Sequence, residues 1–337
     1  MNFSEPVLRF GNAIRRRLAA RPNRIDAVDL VRGIAIIGVV VYHFFWDLSL
    51  LWLIETDVST HPLWVLFARS LLFSFVFLAG VGLVLSHGDG IRWRSFWRRL
   101  AIIGGAALLV TIGTAIAFPE TFVYFGVLHA IALFSLIGLA FLRLPPALTL
   151  AIGAAIFAAP YLWTSEIFEA KPLSWIGLWA VHPPTNDLVP IFPWLGASLI
   201  GIGLAKLARE HGLFARLSGW EARGPLQAIA VIGRLTLPIY LIHQPILLAA
   251  LTPLANTALA PVANVNSFNR TCQSGCEATG ASAQYCTAYC ACMLDTVETE
   301  NLWDAVTTLE PTPEQSQAVN TAILSCSVED LPELEAP

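Results

Sequence analysis

Three ionisable side chains interrupt a stretch otherwise apolar enough to cross a membrane: Arg32, His43 and Asp47 in VRGIAIIGVVVYHFFWDL. On a helix, the eleven steps from Arg32 to His43 return to within roughly 20° of one face, and Asp29 and Asp47 fall within about 60° of it. At 1.5 Å per residue, His43 sits roughly 16 Å beyond Arg32 along the axis. Each residue type suggests a role. An imidazole takes and returns a proton near neutral pH. A carboxylate one turn on, Asp47, holds the tautomer of that imidazole. Arg32, at the start of the run, is placed to receive a negatively charged group, although Asp29 and Arg32 at i and i+3 also fit a plain interfacial ion pair. Ionisable groups at membrane depth normally face a bundle interior or a water-filled cavity.

The elements that must position them follow from composition. The 337 residues are 56% hydrophobic and 13% charged, with a mean hydropathy of +0.64, whereas soluble domains are about 25% charged. A spanning helix needs roughly 20 mostly apolar residues. About seven segments qualify: 29–51, 65–86, 99–117, 123–142, 146–163, 190–208 and 227–252. Cations alternate between them. They precede the first segment (Arg15 to Arg24), separate the second and third (Arg92, Arg94, Arg98, Arg99), follow the fourth (Arg143), and separate the sixth and seventh (Lys206 to Arg223). The positive-inside rule then puts the N-terminus in the cytoplasm and the C-terminal tail outside. All six cysteines lie in that tail, and disulfides persist outside the cytosol, which agrees. The expected organisation is a basic cytoplasmic lead-in at 1–27, a membrane domain at 28–255 and a cysteine-rich acidic tail at 256–337. The lead-in resembles a signal-peptide n-region, but the apolar run after it is too long and no small-residue cleavage site follows. The expected fold is therefore all-α, a polytopic membrane bundle of about seven spans carrying a small extracytoplasmic, disulfide-bearing tail. The basic residues sit at membrane edges rather than on one basic face, which argues against nucleic-acid binding.

In the tail, NRTCQSGCEATGASAQYCTAYCACMLD holds two C-x3-C pairs and then C-x-C. Cysteines at i and i+4 share a helix face. Two such helices packed antiparallel would join Cys272 to Cys290 and Cys276 to Cys286, leaving Cys292 for Cys326, although six cysteines allow fifteen pairings. Metal binding is the rival, but the spacing fits no common zinc pattern.

RIDAVDLVRGIAIIGVVVYHFF resembles the opening of the transmembrane acyltransferase superfamily, whose acyltransferase-3 branch carries an arginine and a histidine at this spacing. The longer similarity is to the heparan-alpha-glucosaminide N-acetyltransferase catalytic-domain family. It extends through ARSLLFSFVFLAGVGLVLS, RWRSFWRRL, FGVLHAIALFSLIG, PWLGASLIGIGLA and IGRLTLPIYLIHQPIL, covering nearly all of residues 24–250. The resemblance implies that an acetyl or other acyl group passes from cytoplasmic acyl-coenzyme A to an extracytoplasmic sugar amine or hydroxyl, with the acyl-coenzyme A as co-substrate. It also implies an inner cell membrane location, since many members are bacterial. The family's catalytic histidine lies in the loop after the first span, where His61 is the nearest equivalent. Family members have asparagine at the place matching His43, so His43 and His61 both stand as candidate bases.

The resemblance also makes Arg98 and Arg99, with Arg92 and Arg94, candidates for coenzyme A phosphates, as against topology determinants on anionic lipid. His129 falls on the expected substrate path, or else is a packing histidine. His243 either belongs to the site or re-satisfies backbone freed by Pro245. Arg69 either steadies a substrate group or snorkels outward. In the outer loop 164–189, Trp175 and Trp179 are either interface anchors or a surface for a sugar ring; the loop also carries His182 and Asp187. His87 and His211 are expected to be exposed at turns, and the G-x-G at 201–203 to serve close helix packing. No resident metal or Gly-rich phosphate loop is expected. Two readings from other classes stand beside the enzyme: a proton-coupled small-solute transporter and a non-catalytic envelope scaffold.

Overall fold

The computed structural model of the chain describes residues 24–308 and 311–328. Most of the expected lead-in lies outside the described residues. Among the described residues the chain is helical, with no strand beyond one isolated bridge between Phe125 and Leu188. Helices of ten residues or more are α1 Asp26–Leu50, α2 Pro62–His87, α3 Trp93–Ala117, α4 Val127–Phe141, α5 Pro146–Leu162, α6 Ile191–Glu210, α7 Pro225–Arg234, α8 Thr236–Ala255, α9 Ala260–Ala278, α10 Ala283–Thr299 and α11 Pro313–Val328.

Five of these, α1, α2, α3, α6 and α8, are long and apolar enough to cross a membrane. The segments expected at 123–142 and 146–163 form shorter apolar helices of 15 and 17 residues. The segment expected at 227–252 is not one helix but two. Pro238 lacks the N–H that would bond the Arg234 carbonyl, and its ring crowds that carbonyl. The chain therefore ends α7 at Arg234 and restarts at Thr236, whose hydroxyl donates to the Gly233 carbonyl at 2.7 Å.

The chain divides into two compact units. The first takes residues up to Tyr42 and Pro62–Pro245; the second takes His43–His61 and everything from Ile246 on. The tail thus shares its unit with the loop after α1. In the first unit, α6 packs against both α2 and α5, around a core that includes Val76, Leu83, Phe134, Leu199 and Ile202. Glycines allow the close approach: a Cβ on Gly201 would run into the Phe77 backbone, and one on Gly196 into that of Gly153. The expected packing role of the glycine pair is met, since a Cβ on Gly203 would likewise meet Leu150. Gly33 against Ile229, and Gly233 against Asp29, bring α1 and α7 together in the same manner.

In the second unit α9 and α10 form an antiparallel hairpin. Ser282 caps α10 by accepting the Tyr285 N–H at 3.2 Å. The six cysteines form the disulfides Cys272–Cys290, Cys276–Cys286 and Cys292–Cys326, so two lock the hairpin and the third ties α10 to α11. A small core of Met293, Ala322 and Cys326 lies beneath Phe268 and Tyr289. From α9, Arg270 donates to the carbonyls of Ile54 (3.1 Å) and Glu55 (2.8 Å), and its guanidinium lies 4.6 Å from the Trp52 ring centre. Asn266 donates to the Trp52 carbonyl at 2.9 Å. The tail therefore clasps the loop that carries His61.

Candidate functional site

The close crossing of α1 and α7 builds a charge cluster around Asp29, which is 2% exposed. Its carboxylate meets Arg24 at 2.9 Å, Arg234 at 3.1 Å and, more loosely, Arg32 at 3.8 Å. Arg234 also reaches Asp26 at 2.7 Å, and Asp26 accepts the Ala222 N–H at 3.1 Å. The expected pair of Asp29 and Arg32 is thus present, but Asp29 chiefly serves two other arginines. The guanidinium of Arg32 lies instead beside that of Arg99. A Cβ on Gly82 would be 2.9 Å from the first and 3.9 Å from the second, so the glycine makes room for two like charges.

These groups line a cavity of about 1190 Å³. Six arginines face it: Arg24, Arg32, Arg92, Arg98, Arg99 and Arg234, against the acids Asp29 and Asp89. Arg24 and Arg234 are engaged by carboxylates, Arg92 donates to the Ser86 carbonyl at 2.7 and 3.0 Å, and Asp89 pairs with Arg209. Arg98 and Arg99 make no ion pair among the described residues. The balance is a surplus of guanidinium groups in a large recess, and a surplus of that sign attracts phosphates, which guanidinium binds in bidentate fashion. Pockets for drug-sized ligands run to about 1,000 Å³, so there is room for a bulky polyanion. The remaining lining, including Leu78, Ile103, Leu128 and Leu237, is apolar.

Tyr240 also lines this cavity and is within electrostatic reach of Asp187. Asp187 comes from the loop before α6, which is laced to the segment before α4 by the bonds Asn186 N–H to Thr121 O at 2.9 Å and Val189 N–H to Phe125 O at 3.0 Å. Its carboxylate accepts the Val127 N–H at 3.2 Å, at the start of α4. Burial pushes the Asp187 carboxyl up to about 6 despite that bond. His129 sits two residues beyond Val127. Its Nδ1 accepts the Gly126 N–H at 3.3 Å, so its Nε2 carries the hydrogen. Nε2 contacts the Thr111 hydroxyl at 3.3 Å, which itself donates to the Val123 carbonyl at 2.8 Å. Nδ1 of His129 thereby caps α4, and Nε2 ties that helix to Thr111 on α3. His243 is buried, and its Nδ1 contacts the carbonyls of Tyr240 (2.8 Å) and Ile239 (3.2 Å). A carbonyl only accepts, so Nδ1 is the protonated nitrogen there.

Trp175 and Trp179 spend their indole N–H groups on the carbonyls of Pro172 (2.8 Å) and Ser174 (2.9 Å), while Trp175 stands 5.7 Å from the Phe125 ring. Arg69 is exposed on α2, and Arg94 is exposed and does not line the cavity. His87 is not the exposed turn residue expected. It is 3% exposed, because its Nδ1 accepts the Arg92 N–H at 3.2 Å and its ring packs edge-on against Phe96.

Among the candidate bases, Asp47 is fully buried and His43 half-buried on the same face of α1, with Trp46 edge-on to the imidazole at 6.2 Å. His61 is exposed just before α2, and its N–H bonds the Asp57 carbonyl at 3.0 Å. No group of three or more potential metal ligands exists among the described residues. Arg24, Arg234 and Tyr240 were not singled out as site residues from the sequence. Arg24 reads there as one more topological cation, while Arg234 and Tyr240 stand within IGRLTLPIYLIHQPIL, where nothing local marks them.

No curated protein and no solved structure matches the chain. The family model described as heparan-alpha-glucosaminide N-acetyltransferase, catalytic, matches residues 24–245. The match spans well over half the chain, takes in every residue lining the arginine cavity, and stops before the disulfide-bonded tail. With its apolar helices and that match, the chain belongs to the heparan-alpha-glucosaminide N-acetyltransferase catalytic-domain family of membrane transferases.

Proposed function

We propose that the protein is a membrane-bound acyltransferase that moves an acyl group, acetyl in the first instance, from cytoplasmic acyl-coenzyme A to an extracytoplasmic sugar amine or hydroxyl. The observation that carries this reading is the arginine-lined cavity inside the family match. Coenzyme A carries several phosphates, and Arg32, Arg98 and Arg99, the guanidinium groups of that recess left without a close carboxylate or carbonyl partner, are the chemistry that would hold them. Arg32, Arg98 and Arg99 are the donor-binding residues, with Arg92 beside them. In the proposed topology α1 to α6, followed by α7 with α8, give seven spans, with the N-terminus in the cytoplasm and the disulfide-bonded tail outside, as the arginine alternation requires.

His43, roughly 16 Å along α1 from Arg32, is the proposed base. Its imidazole takes the proton of the acceptor amine or hydroxyl as that atom attacks the thioester carbonyl. The coenzyme A thiolate leaves and receives the proton. Asp47, one turn on, orients the ring. His61 is the alternative base, and Arg69, His129, His243, Trp175 and Trp179 are the proposed surroundings of the acceptor path. For His129 and His243, the backbone contacts favour positioning roles.

Calorimetric titration of acetyl-coenzyme A into the purified protein tests the reading. Wild type and His43→Ala are expected to bind, and Arg32→Ala and Arg99→Ala to bind at least about tenfold more weakly. Absence of binding in every form would overturn the proposed function.

A further inference from the structure

A second cavity, of about 840 Å³, lies wholly within the second unit, between α9, α10 and the helix Trp303–Thr307. The family match does not reach it. Its lining contains no charged residue. Tyr285 and Tyr289, on successive turns of α10, hold their rings within 5° of parallel at 6.2 Å between centres. Phe268 and Trp303 stand edge to face at 6.1 Å. Beside Phe268, α9 contributes Asn264, Ser267 and Thr271 to the same lining, spaced i, i+3 and i+7 on one face of the helix. Their side chains make no hydrogen bond among the described residues, so each brings unspent donors and acceptors to the cavity.

Aromatic faces and a row of hydroxyl and amide groups in one uncharged lining match the surface of a sugar ring, which has a C–H face and a rim of hydroxyls. An acyl chain or an apolar helix would leave the polar row unpaired. The surroundings decide the charge of the ligand. The second unit carries one described basic residue, Arg270, already committed to the carbonyls of Ile54 and Glu55, against acids that include Glu277, Asp295, Glu298, Glu300, Asp304 and Glu314. That field repels a sulfated or carboxylated glycan. The disulfides mark an oxidising compartment, where glycans are exposed.

We propose that this cavity is a carbohydrate-binding site for a neutral oligosaccharide, with one ring stacked on Tyr285 and Tyr289 and its hydroxyls met by Asn264, Ser267 and Thr271. The site is separate from the arginine cavity and does not depend on the acyltransferase reading.

The test uses the full chain in lipid nanodiscs, because a sugar-headed detergent would compete. Chitotetraose is titrated by calorimetry, with a sulfated heparin tetrasaccharide in parallel. Saturable chitotetraose binding is expected, weakened at least about tenfold by the pair Tyr285→Ala and Tyr289→Ala and by the pair Asn264→Ala and Thr271→Ala. The pair Tyr285→Phe and Tyr289→Phe keeps the rings and is expected to retain binding, which separates loss of the rings from loss of the fold. No binding of chitotetraose, binding indifferent to the alanine pairs, or tighter binding of the sulfated sugar would each overturn the proposal. Acetyl-coenzyme A titrated into the same preparations reports on the first cavity alone, so failure of either reading is seen separately.

Discussion

Asp29 shows how one side chain can be legible in type and illegible in role. Its distance from Arg32 is read from spacing, but its stronger partners, Arg24 and Arg234, include one more than two hundred residues away. A buried carboxylate neutralising several arginines leaves uncompensated positive charge when removed, so Asp29→Ala is expected to destabilise the protein by about 3–5 kcal/mol, read as a lowered thermal midpoint. Asp187 makes a prediction of opposite sense. Its folded carboxyl titrates at about 6 because burial disfavours the charge, whereas an unfolded aspartate titrates near 3.9. The neutral form stabilises the fold fully below about pH 4, and that contribution is lost as pH rises through about 6. Thermal midpoints measured from pH 4 to 7 should fall across that window in wild type and stay flatter in Asp187→Asn. At the proposed chemical step, a general base contributes about 10²–10⁴-fold, so His43→Ala should lose transfer by that factor while still binding acetyl-coenzyme A. If His61→Ala shows the loss instead, the base is the loop histidine.

Helices and loops obey rules of packing that the sequence signals only in part. The glycines at 196, 201 and 203 announce close crossings, but their partners on α2 and α5 are set by the fold. Gly201→Leu would drive a side chain into the Phe77 backbone and is expected to cost about 1–3 kcal/mol or more, seen in detergent-resistant thermal unfolding. The break between α7 and α8 was written locally, in Pro238, yet an apolar average over 227–252 hides it. In the second unit, Arg270 replaces several contacts at once. Arg270→Ala removes two charge-assisted hydrogen bonds and a cation–aromatic contact, together about 2–4 kcal/mol of local order. Amide hydrogen exchange at residues 52–55 should then speed up by a hundredfold or thereabouts, with α2 and α6 unchanged.

Across the whole molecule, the two units are held by different means: glycine-mediated helix packing in the first and three disulfides in the second. Loss of a native disulfide in a small domain costs about 2–5 kcal/mol. Mild reduction is therefore expected to unfold the second unit at lower temperature while the first still binds acetyl-coenzyme A, checked by calorimetry before and after dithiothreitol. Composition, apolar runs and cysteine spacing determined by themselves that the chain is an all-helical membrane protein with a disulfide-bonded tail, because burial in lipid and i, i+4 geometry are properties of neighbouring residues. Arg32 stood out for the same reason, as a cation within an apolar run, whereas Arg98 and Arg99 became candidates through the family resemblance; all three line the cavity. The tertiary structure alone decided that Arg24 and Arg234 join them, that Tyr240 and Asp187 share one end of the molecule's chemistry, and that the tail holds the loop bearing His61. Those are contacts between residues far apart in sequence, fixed when helices cross at glycines, and no local pattern encodes which helix a glycine will meet.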